Sequence, residues 1–209
     1  VLYGLYAHDK GQILINGEEV HMDSPSVAIS KGIGMVHQHF MLIPQLTVTQ
    51  NVFLGMKEAG IVLKMKELDK KVSDMSKKFG FNIDPSALIW QIPVGVQQKV
   101  EIVKVLMRNA KILILDEPTA VLTPNEVDEL FQSIKVLASE GYSIILITHK
   151  MSEVLEYTDR VTVMRLGEVV GSVDVKDTTE DELASMMVGR KVDLDRKITP
   201  QPVGDPLLE

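Results

Sequence analysis

The chain has 209 residues, enough for one well-buried domain or a domain with a small subdomain. Its 22 Lys and Arg against 29 Asp and Glu give a formal net charge of −7, which argues against a protein whose main work is wrapping nucleic acid. The absence of cysteine excludes disulfide scaffolds, thiolate metal sites and cysteine nucleophiles, and no apolar run reaches the ~18 residues of a membrane-spanning helix.

The first residue is Val1, not Met, and Val1–Tyr6 reads as the end of an apolar helix, so the protein is expected to continue upstream. Gly11–Gly17 reads as a strand entering a hairpin, with Asn16-Gly17 as the turn, because both residues tolerate positive φ. Ile33–Val36 is a second short apolar run, followed by His37-Gln38-His39. From about Thr49 to Met107 the pattern is helical and rich in lysine, which predicts an inserted helical subdomain.

Ile112–Leu115 is an unbroken apolar run of the kind found in strands buried on both faces. Thr123-Pro124-Asn125-Glu126 then gives a capping box with Pro at the first helical position. Val127, Leu130, Phe131, Ile134 and Leu137 recur at helical spacing up to Gly141, and Ser143–Thr148 predicts a second buried strand. Strand, helix, strand at this spacing is a βαβ unit, so the expected fold is α/β with a parallel sheet core. Arg160–Leu166 and Glu168–Val175 alternate around Gly167 and predict an antiparallel edge hairpin. Thr179–Glu182 is a further capping box, opening a helix that runs to Gly189. One domain over 1–192 is expected, with the Pro-bearing stretch 193–209 as a linker or tail.

Ligands of open α/β sheets bind beyond the carboxyl ends of the strands. Asp116-Glu117 ends one predicted strand and His149 the next, 33 residues further on, one crossover apart. Paired carboxylates there can hold Mg2+ through its water shell and take a proton from an attacking water. A solvated acidic turn is the alternative for the pair, and a satisfied polar residue for the lone histidine. The order Gln38, then Gly95-Val96-Gln97-Gln98, then Asp116-Glu117, then His149 carries more than any member alone.

In that order the chain resembles an ATP-binding-cassette ATPase subunit over about Val1 to Gly189. Ile112–Pro118 is similar to the family's Walker B strand, Met35–Gln38 to its Q-loop, Ile147–Lys150 to its histidine switch, and Ile92–Val100 sits where the family signature opens a helix. Pro118–Pro124 and Gln38–Val48 resemble the first cassette of tandem-cassette importers of monosaccharides and nucleosides. The resemblance implies a P-loop NTPase-like core and ATP with Mg2+ as cofactors. It implies Asp116 and Gln38 at the metal, Glu117 as general base, and Gln38 and His149 at the water and γ-phosphate. Pro93, Val94, Gly95 and Gln97 would meet the ATP of an opposite cassette. The implied partners are a second cassette, a membrane permease contacted through Phe40–Pro44, and indirectly an external solute-binding protein. No nucleic acid is implied, and the place is the cytoplasmic face of the membrane, peripherally. For Phe40–Pro44, packing into the core is the alternative.

Two departures stand out. No GxxxxGK[ST] occurs in the 209 residues, so the chain by itself is expected to bind ATP weakly and to be inactive alone. Pro93 replaces the signature serine, removing a hydroxyl and an N–H. Either the composite site is weakened, or Pro93 simply starts the helix and the amides of Val94 and Gly95 suffice. Two competing functions share these motifs: a soluble cassette ATPase acting on ribosomes or DNA, and a non-catalytic regulatory cassette.

Overall fold

The computed structural model of the chain describes residues 1–56 and 64–190. The expected linker at 193–209 lies outside them. The described residues fall into two compact units, one of Val1–His149 and one beginning at Lys150.

The first unit opens with turns at Val1–Tyr6. Gly4 adopts φ 76° and its N–H closes onto the Val1 carbonyl at 2.8 Å, the left-handed glycine turn that also closes helix ends. Strands β1 (Leu14–Ile15) and β2 (Glu18–Glu19) form the expected hairpin. Its turn residues Asn16 and Gly17 have φ 52° and 84°, the two positive values of a type I′ turn. Helix α1 (Pro25–Ser30) leads into β3 (Ile33–Val36).

The stretch after β3 holds α2 (Val48–Phe53), α3 (Met65–Lys78) and α4 (Val94–Leu106). Helix α2 begins at a capping box: Thr47 accepts from the Gln50 N–H, and the Gln50 side chain takes the Thr47 N–H at 2.8 Å. Strand β4 (Ile112–Asp116), helix α5 (Pro124–Ser139) and strand β5 (Ser143–Ile147) then form the βαβ unit. Among the described residues, β3, β4 and β5 form one parallel sheet in that order, with β4 central.

Register fixes the two faces. Ile33, Ile112, Ile114, Ser143, Ile145 and Ile147 share one face. There Ile33 and Ile114 join Val20, Met22 and Ala28 in a buried cluster, with Leu2, Tyr3 and Ile13 packed against it. On the other face, Gly34 of β3 lies so close to α4 that any Cβ at this position would collide with the Val105 side chain. Leu113 and Leu115 are fully buried, as the apolar run predicts.

Strand β5 departs from its prediction. Its exposure alternates, with Ile145 40% and Ile147 46% exposed, so it is not buried on both faces. It pairs only with β4 among the described residues, and the cluster built on Val20 and Met22 does not extend over it.

The second unit contains α6 (Met151–Tyr157), the antiparallel pair β6 (Arg160–Arg165) and β7 (Glu168–Asp174), and α7 (Glu180–Val188). Its hairpin turns at Leu166-Gly167 and carries a bulge between Val163 and Met164. The capping box at Thr179 starts α7, and Gly189 ends it in the left-handed region at φ 80°. Leu183 of α7 and Val163 of β6 are buried.

Candidate functional site

The carboxyl ends of β3, β4 and β5 lie side by side, because Val36 is paired with Leu115 and Asp116 with Ile147. Gln38, Glu117 and His149 each follow one of these strands by two residues or fewer. A parallel sheet therefore delivers three side chains that are far apart in sequence to one end of the sheet.

They meet at Glu117. The Gln38 amide Nε2 donates to Glu117 Oε2 at 3.0 Å, and His149 Nδ1 lies 3.1 Å from Oε1. Each oxygen of one carboxylate thus has its own partner from a neighbouring strand end. Glu117 is partly buried while His149 is largely exposed, so the carboxylate is sheltered and the imidazole faces solvent. The Glu117 N–H is tied to the Ile147 carbonyl at 2.9 Å. The backbone of Glu117 has φ 45°, a left-handed conformation that an L side chain seldom takes outside strained or functional positions. Beneath it, Pro118 and Thr119 are buried. His37 packs its ring edge-on against Tyr3, with centroids 5.9 Å apart.

Asp116 closes β4 next to Glu117 and is half-buried. Its carboxylate, that of Glu117 and the Gln38 amide oxygen are hard oxygen donors, the type that Mg2+ prefers while it keeps most of its waters. The donor set is therefore compatible with Mg2+ carried by a phosphate ligand. No group of three or more His, Cys, Asp and Glu that could enclose a metal occurs among the described residues.

The segment Pro93–Gln97 is engaged elsewhere. Pro93 is the cap of α4, and the Val96 and Gln97 N–H groups return to its carbonyl at 3.0 Å. The Gln97 side chain donates to the carbonyls of Ile92 and Ile89 at 3.0 and 3.3 Å, closing the turn before the helix. Gly95 is buried, and its N–H is bound to the Glu126 carboxylate. That carboxylate also takes the Thr123 N–H at 2.9 Å and the Thr123 hydroxyl at 2.8 Å. These bonds from Thr123 and Gly95, aided by the nearby Lys99 charge, hold the Glu126 carboxyl below its ordinary pKa. A Cβ at position 95 would run into the Glu126 carboxylate, so this contact requires glycine.

The sequence had marked Glu126 only as a helix cap; its second hold, on Gly95, carries no local signal. In Phe40–Pro44, Met41 is 65% and Ile43 40% exposed, so this run does not pack wholly into the core.

The ABC transporter family model matches residues 1–120. The chain is 50% identical to a nucleoside import ATP-binding protein of Lactococcus lactis, over 92% of this chain and 38% of that protein. It is 47% identical to a glucose import ATP-binding protein of Haloferax volcanii, over 92% of this chain and 40% of that protein. The chain thus spans about two fifths of the length of these relatives. An ATP-binding cassette of an ABC transporter, solved in its ADP conformation, superposes with a TM-score of 0.75 at 20% identity, over 91% of this chain and 81% of that one, and shows the fold.

Proposed function

Because the chain belongs to the ABC transporter family, whose ATPase domains bind ATP with Mg2+ as the usual partner ion, we propose that it is the hydrolytic part of an importer that takes up a sugar or a nucleoside. The observation that carries this reading is the Glu117 carboxylate received on one oxygen by Gln38 and on the other by His149. Phosphoryl transfer asks a protein mainly for positioning and charge stabilisation, and three groups converging from adjacent strand ends supply the first.

The roles are as follows. Glu117 accepts the proton of a water as that water's oxygen attacks the γ-phosphorus and the bond to the ADP oxygen breaks. Gln38 orients the water and holds Glu117 in place. His149, exposed at the rim, contacts the γ-phosphate. Asp116 and Gln38 would hold Mg2+ through its water shell, and the ion when bound offsets the phosphate charge. The signature segment of this chain makes a reduced contribution to the nucleotide of an opposite cassette. Pro93 has no N–H, and the amides of Gly95 and Val96 are already engaged. A membrane permease is the partner for the exposed Met41 and Ile43, and the protein acts peripherally at the cytoplasmic face. No described helix is long and apolar enough to cross a membrane.

Glu117→Gln in the intact protein tests the reading. ATP hydrolysis at this site should fall by about 10²–10⁴-fold with MgATP still bound, as loss of a positioned base requires. Unchanged turnover removes Glu117 from this role.

A further inference from the structure

Met41 stands three residues beyond Gln38, on the same loop. Its side chain is exposed, yet both polar groups of its backbone are taken by one helix. The Met41 N–H donates to Glu101 Oε1 at 2.6 Å, and Lys104 Nζ donates to the Met41 carbonyl at 3.0 Å. Lys104 Nζ also donates to Glu101 Oε2 at 3.1 Å. The three groups form a closed ring: carboxylate, ammonium, peptide. Glu101 is 5% exposed, sitting in the otherwise apolar run Val100–Val103 of α4. A charge is rarely buried in such a helix unless it is paired, and here the pair is completed by the backbone of the loop.

Two residues further on, the loop is gripped again. The Ile43 N–H donates to Asn51 Oδ1 at 2.7 Å, and Asn51 Nδ2 donates back to the Ile43 carbonyl at 3.1 Å. The loop therefore has little freedom after Gln38. Gln38 itself is held by Glu117, and the next anchor along the chain is the Glu101–Lys104 pair.

We propose that Glu101 and Lys104 are positioning residues for hydrolysis: by clamping the Met41 peptide to α4 they fix the loop that presents the Gln38 amide to Glu117. Neither touches the site. They act through the backbone between Met41 and Gln38, so their loss should lower the rate of the chemical step and spare nucleotide affinity. This rests on the base role of Glu117 given above.

The test uses the intact protein and MgATP. Glu101→Ala should lower kcat by about tenfold or more, with KM for ATP changed by less than about twofold, because small misplacements of a positioned group cost rate before affinity. Hydrogen exchange at the Met41 amide should quicken by about tenfold. Glu101→Gln, which keeps an oxygen for the Met41 N–H, should recover part of the rate. If Glu101→Ala does not fold because the partly buried Lys104 loses its carboxylate, the double change Glu101→Leu with Lys104→Leu removes both charges and still breaks the clamp. It should show the same fall in kcat. A wild-type kcat in whichever variant folds, or a fall matched by an equal rise in KM, overturns the proposal. Glu117→Gln run alongside separates the two readings. If it abolishes hydrolysis while Glu101→Ala does not slow it, only the clamp fails; if it leaves hydrolysis intact, the base assignment fails first.

Discussion

Glu117 holds its left-handed backbone because its neighbours over-determine it. Its N–H is fixed to β5, its carboxylate is shared by Gln38 and His149, and Pro118 and Thr119 are buried beneath it. A non-glycine residue in this region costs about 1 kcal/mol or more. Glu117→Gly should therefore unfold at a denaturant concentration no lower than wild type, with a gain of up to about 1 kcal/mol, although two side-chain hydrogen bonds are lost. A loss of stability in chemical denaturation would mean that the contacts outweigh the strain. That the Asp116-Glu117 pair and His149 stand at neighbouring strand ends was legible in the sequence, because each follows an apolar run that reads as a strand and parallel strands end together; Gln38 joined them only through motif order and the family resemblance. The φ of Glu117 was not legible, since no glycine or asparagine marks it. Nor was the use of Gln97, whose amide turns back to local carbonyls.

Helix starts were written plainly in this chain. Thr123-Pro124-Asn125-Glu126 and Thr179–Glu182 both carry side chains that satisfy the first turn, and both begin helices where the pattern says they should. The link from the first of these to Gly95 joins α5 to the opening of α4, and it depends on a carboxylate. Since Glu126 is held below its ordinary value of 4.5 in the folded chain, its ionised form favours folding. That contribution is full above pH 4.5 and is lost as pH falls through the lowered folded value. Thermal melts of wild type and Glu126→Gln should differ at pH 7 in favour of wild type, and the gap should close as the pH drops below 4.5. A gap that persists in acid would assign the effect to packing. Strand β5 shows where element reading stops. Its apolar run Ile144–Ile147 looks the same as Ile112–Leu115 of β4, and periodicity carries no information on whether a neighbour covers it.

Over the whole molecule, the order of strands and helices was readable because many boundaries carry their own chemistry. The βαβ crossover, the Asn16-Gly17 and Leu166-Gly167 hairpins and the helix ending at Gly189 all follow from local rules. What local rules do not give is the completeness of the sheet. Among the described residues β5 pairs with β4 alone, and its Ile145 and Ile147 are 40% and 46% exposed. An uncapped ribbon of this kind is a template for intermolecular pairing. Samples of these 209 residues alone should form higher-order species in sedimentation velocity as the concentration enters the micromolar range and above. Ile145→Lys should keep them monomeric, since an inserted ammonium makes stacking on a second ribbon unfavourable. The same strand thus bears two burdens: its open margin invites self-association of the isolated polypeptide, while its last carbonyl, that of Ile147, ties down the Glu117 N–H.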